Sequence, residues 1–190
     1  MTRILSTLRQ TLRAFRTDES GVVTVQFVII FPVFFAFFLM TYENGIISVR
    51  HVMLERGIDI AVRDVRIGSI TDPTQNSIRK RICEVSMIIP DCENQMQVEM
   101  VRRDPRSWAD LDSNIQCTDR SVASQPVTNF TNGKNNELVL VRACVRIDPM
   151  MPTTGIGKAI VESNSGASAG GSYALIATAA FVVEPFNDEE

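Results

Sequence analysis

The chain has 190 residues, with 19 Lys and Arg against 22 Asp and Glu, for a net charge of −3. So weak and mixed a charge excludes the basic surface that a nucleic-acid partner needs. A single histidine and four cysteines without a Cys-x-x-Cys offer no recognisable metal or catalytic set, so neither a cofactor nor an enzymatic activity is expected.

Residues 1–21 form a basic leader carrying Arg3, Arg9, Arg13 and Arg16. Ile4, Leu5, Leu8, Leu12 and Phe15 stand at helical spacing, which suits an amphipathic helix on the inner membrane face. A basic leader without such order fits the same residues equally well.

Between Glu19 and Glu43 there is no charge. Val22–Met40 is broken only by Thr24, Gln26 and Pro32, and its phenylalanines surround the helix rather than marking one side. At ~1.5 Å per residue it spans roughly 28 Å, the thickness of a bilayer's hydrocarbon layer. A transmembrane helix over 22–42 is therefore predicted. The arginines precede it, and the first basic residue after it is Arg50. Positive charge stays inside, which places the N-terminus in the cytoplasm and the chain beyond about residue 43 outside it. The run ends in "FFLMTYENG", with no small-residue site for an ordinary secretory signal peptidase.

Residues 43–68 continue as helix, an exported extension. Ile46, Val49, Val52, Met53, Ile60, Ala61 and Val65 form its apolar stripe, with Arg50, Glu55, Arg56, Asp59, Arg63 and Arg66 largely outside it. Pro32, Gly45 and Gly57 are candidate bends. Asp72-Pro73 then stops the helix. His51 reads as a solvated residue on this helix.

Residues 69–190 are expected to form an exported α+β domain. "QMQVEMV" alternates, with Met96, Val98 and Met100 on one face. "ELVLVRACVRI" is a second strand, with Val139, Val141, Ala143, Val145 and Ile147 together and Cys144 opposite. "YALIATAAFVVEP" is a third, apolar on both faces and so expected at the sheet's centre. A turn-rich region (104–133) and the loop "SNSGASAGGS" separate them. The fold class is thus α+β, a long N-terminal transmembrane helix followed by a small antiparallel sheet domain.

An even cysteine count in an exported domain predicts two disulfides. Cys83 and Cys92 flank a short loop with Pro90-Asp91, so they pair locally and leave Cys117 with Cys144. Loop-closure entropy predicts roughly 2.5–3.5 kcal/mol for each. "PTTGIGKA" lacks the first glycine and the Ser or Thr of a phosphate-binding loop, and reads as a turn. "NFT" at Asn129 is a weak glycosylation sequon.

The junction "DESGVVTVQFVIIFPVFF" resembles that of the TadE/TadF-like pseudopilins of the tight-adherence (Flp-type) pilus machinery. Those begin with a basic leader, a glycine, a few small or apolar residues, a glutamate–phenylalanine pair and an apolar helix with an early proline. The resemblance covers roughly residues 17–68 and extends to "YENG" and "AVRDVRIG". It implies a pilin-like fold and cleavage by a prepilin peptidase between Gly21 and Val22. It also implies helix packing through Gln26, Phe27, Pro32 and Glu43 in the bilayer or against other pilin and pseudopilin subunits and inner-membrane assembly proteins. The implied role is pilus assembly and adherence. One position departs: the family's usual glutamate is Gln26, which accepts a hydrogen bond from a neighbour's N-terminal amine but cannot neutralise it. That fits a minor, initiating or tip subunit. The alternative is an uncleaved, membrane-anchored periplasmic binding or accessory domain.

Overall fold

The computed structural model describes Arg13, Ala14, Arg16 and residues 21–107, 115–122, 125, 128–152, 154–163 and 171–185. The amphipathic leader helix and most of the "SNSGASAGGS" loop lie outside the described residues. Helix α1 is Val22–Arg66, continuous through Pro32, Gly45 and Gly57. It is followed by α2 (Gln75–Val85), α3 (Cys92–Gln95), β1 (Met96–Arg103), β2 (Leu138–Ile147), α4 (Gly155–Ser163) and β3 (Tyr173–Val182). Two compact units divide the chain, residues 1–41 and 42–190.

In the second unit the three strands form an antiparallel sheet in the order β1-β2-β3. Alternation does the sorting. Val139, Val141, Ala143, Val145 and Ile147 of β2 share a face with Met96, Val98 and Met100 and with Tyr173, Leu175, Ala177 and Phe181. Leu54, Ile58, Ala61 and Val65 of α1, with Ile78 and Ile82 of α2, complete this core. On the opposite face Glu99 and Arg142 are directly paired across β1 and β2, at 2.6 Å and nearly buried.

The third strand corrects one expectation: β3 is an edge and β2 the centre. Its residues away from the core, Ile176, Thr178, Ala180 and Val182, are exposed. They are small or β-branched residues suited to a pleated surface, and apolarity alone misread them as buried.

The stripe of α1 is also turned. Val49 and Val52 are exposed, and the buried set is Glu43, Arg50, Leu54, Gly57, Ile58, Ala61 and Val65. Arg50, expected outside, is 8% exposed. The helix rotates because Glu43 and Arg50 find polar partners in the second unit, so charge did not mark the solvent side.

Three helices were not expected from the sequence. Thr74 caps α2 reciprocally: its Oγ1 accepts the Ser77 N–H at 3.1 Å, and its own N–H donates to Ser77 Oγ at 2.9 Å. The serine where glutamate is usual hid that signal. α3 completes one turn between Asp91 and β1. "PTTGIGKA" is not a turn but the start of α4, where Thr154 Oγ1 accepts the Gly157 N–H at 3.2 Å.

α1 and α2 approach closely at Gly57, where a Cβ would lie 2.5 Å from Ser86 Oγ and 3.0 Å from the Ile82 carbonyl oxygen. Ser86 in turn donates to the Met53 carbonyl at 2.8 Å. This glycine is there for packing. Two disulfides, Cys83–Cys92 and Cys117–Cys144, tie α2 to α3 and the 115–122 segment to β2.

Candidate functional site

The first unit offers an apolar surface. Gly21 and Val22 are exposed at the helix start, where the Val25 N–H bonds to the Gly21 carbonyl at 3.1 Å. Gln26 and Pro32 are exposed as well. Phe27, Phe34 and Phe37 are 59%, 68% and 71% exposed. Phe27, Phe31 and Phe35 stack in a ladder with centroids 4.9 and 5.6 Å apart. This is the one helix among the described residues long and apolar enough to cross a membrane. An exposed apolar surface of this extent marks a place where the chain meets lipid or other protein.

The second unit offers a buried polar cluster. Glu43 is fully buried, and its Oε1 and Oε2 accept the backbone N–H groups of Met150 and Met151 at 3.0 and 3.1 Å. Seven residues on, two helical turns along the same face, Arg50 Nη1 donates to the Tyr173 hydroxyl at 3.1 Å and the Asp148 carbonyl at 3.5 Å. Burial raises the Tyr173 phenol above its ordinary value, with the hydrogen bond from Arg50 opposing. The arrangement carries no nucleophile beside a base. Its chemistry is mechanical: charge-assisted bonds fasten α1 to the end of β2, the following loop and the start of β3.

His51, expected to be solvated, is half-exposed, with Nε2 3.1 Å from the Ile176 carbonyl and Nδ1 3.8 Å from Glu55. Among the described residues no group of His, Cys, Asp and Glu is placed to hold a metal ion.

Of the residues singled out in the sequence, Gly21, Val22, Gln26, Phe27 and Pro32 lie along the exposed helix, while Glu43 belongs to the buried cluster. Sequence reasoning missed Arg50, Tyr173 and Asp148. The available signal was spacing: 43, 50, 54, 58, 61 and 65 make one continuous helical face.

The fold and site define an α+β protein whose long helix begins as an exposed apolar rod and ends as part of a disulfide-stapled core. Compared with protein-family models, curated proteins and solved structures, the chain finds no match in any of the three.

Proposed function

We propose that this chain is a minor pseudopilin of a Tad-type (Flp) pilus and secretion machinery, non-enzymatic and acting in pilus biogenesis and adherence. The observation that carries the reading is the exposed apolar segment from Val22 to Phe38, ahead of a separate disulfide-bonded unit. In this reading the segment is the single membrane span, with the N-terminus cytoplasmic and residues 42–190 in the periplasm. The basic leader and the oxidised cysteines support that topology. The resemblance over residues 17–68 supplies the class of partner: other pilin and pseudopilin subunits, the inner-membrane assembly proteins, and the prepilin peptidase that cuts after Gly21. The phenylalanine ladder then packs against neighbouring helices once the leader is removed, and Gln26 makes a neutral contact where a body subunit has an ion pair.

The test is the N-terminus of the protein extracted from membranes. Cleavage between Gly21 and Val22 is expected, and Gly21 replaced by a bulky residue should leave a species heavier by the mass of residues 1–21. An intact Met1 in the wild type overturns the pseudopilin reading in favour of a permanently anchored accessory domain.

A further inference from the structure

A cleft of about 510 Å³ in the second unit lies against the C-terminal end of β2, between Pro90–Gln95 on one side and Thr118–Arg120, Val122 and Gln125 on the other. Two basic side chains line it, and they differ in how they are used. Arg120 is spent on the fold: Nε donates to Gln95 Oε1 at 2.8 Å, Nη1 pairs with Asp148, and Nη2 donates to the Arg146 carbonyl at 3.3 Å. Arg146 is 9% exposed, and neither its Nε nor its Nη1 has a hydrogen-bond partner among the described residues. The Thr118 hydroxyl, on the same cleft and 3% exposed, has none either.

The aspartates do not answer this need. Asp148 is paired with Arg120, and Asp91 accepts from Asn94 and Gln95. Asp119 Oδ1 is held by the hydroxyl and the N–H of Ser121 at 2.6 and 2.8 Å. A buried guanidinium with unmade hydrogen bonds is costly, and the like charge of Arg120 adds to the cost. Burial, and then Arg120, pull the Arg146 guanidinium below its ordinary value, with Asp119 opposing more weakly. What relieves all of these at once is an acceptor carrying one negative charge. With three aspartates on the walls, a doubly charged phosphate meets more repulsion than a carboxylate does.

We infer that this cleft is a binding site for a carboxylate, received by Arg146 with the Thr118 hydroxyl beside it. The source is either an acidic side chain of a partner polypeptide or a small free carboxylate. The inference stands apart from the pilus reading, since it uses only the second unit.

The test is an NMR titration of the full chain in detergent micelles, in buffer free of carboxylate and phosphate, following the Arg146 Nε–H resonance in the wild type and the backbone N–H resonances of Thr118, Asp119 and Asp148 in every variant. The probes are sodium acetate, the capped tripeptide acetyl-Asp-Glu-Glu-amide, its neutral counterpart acetyl-Asn-Gln-Gln-amide, and sodium phosphate. A saturable shift with acetate and the acidic tripeptide is expected, and none with the neutral one. Tighter binding of the tripeptide assigns the site to an acidic chain, and equal binding to a small carboxylate. Arg146→Gln should weaken binding by about tenfold or more, the loss expected for a charge-assisted hydrogen bond, while Arg102→Gln leaves it unchanged. No saturable shift in the wild type, an equal shift with chloride at matched ionic strength, or binding of phosphate alone overturns the inference. The wild-type titration decides the matter even where Arg146→Gln does not fold.

Discussion

Replacing Glu43 by glutamine keeps the shape of the side chain and removes only its charge and one acceptor oxygen. In the native protein both carboxylate oxygens accept backbone N–H groups, those of Met150 and Met151, with no solvent exposure at Glu43. The amide retains one of these bonds as a weaker neutral one and turns an NH₂ donor toward the other N–H. Losing a charge-assisted bond costs about 1.5–3 kcal/mol, and the mismatched donors add about 1 kcal/mol or more. Relief of the buried charge offsets part of this, so a net loss of about 2–3 kcal/mol is expected. For a unit of this size that corresponds to a fall in Tm of roughly 4–12 °C. Thermal unfolding followed by near-ultraviolet circular dichroism, on the full chain in detergent micelles, measures it. Glu55→Gln is the control, because Glu55 is exposed and its carboxylate lies 3.8 Å from His51 Nδ1, a long contact at the surface. A Glu43→Gln protein that melts with the wild type and with the Glu55 control would refute the view that Glu43 fastens α1 to the sheet unit.

Gly57→Ala should destabilise by about 1–2 kcal/mol, although helix propensity alone predicts a gain of about 1 kcal/mol, because the new methyl collides with Ser86 Oγ and the Ile82 carbonyl. Chemical denaturation reads the sign, and adding Ser86→Ala should restore part of the loss; a stabilised Gly57→Ala refutes the close approach. Tyr173 titrates above its ordinary 10.0 in the folded chain, so its contribution is fully present below that pH and is lost as pH rises through and beyond it. Tyr173→Phe should therefore flatten the decline in urea midpoint between about pH 9 and 11, while lowering stability at neutral pH by about 1–3 kcal/mol through the stranded Arg50 donor; parallel pH curves for the two proteins would count against it.

The sequence alone determined the features set by local pattern. An uncharged apolar run as long as Val22–Met40 specifies a helix by its length, and period-two alternation in β1 and β2 specifies which side chains share a face. The same alternation puts Cys144 opposite the core residues of β2, where its disulfide to Cys117 lies. Tertiary structure decided the rest. The rotation of α1 depends on Glu43 meeting the Met150 and Met151 amides and on Arg50 meeting Tyr173, partners more than 90 residues away in sequence. Charge marks a solvent-facing side only when no such partner exists, and sequence periodicity cannot know that. Strand order was likewise hidden, because Ala, Thr and Val suit an edge as well as a centre, and only the pairing of β2 with both neighbours separates the two. Gly57 reads in sequence as a weak point in a helix. Only the position of Ser86 and Ile82 across from it turns that glycine into the residue that lets the two helices touch.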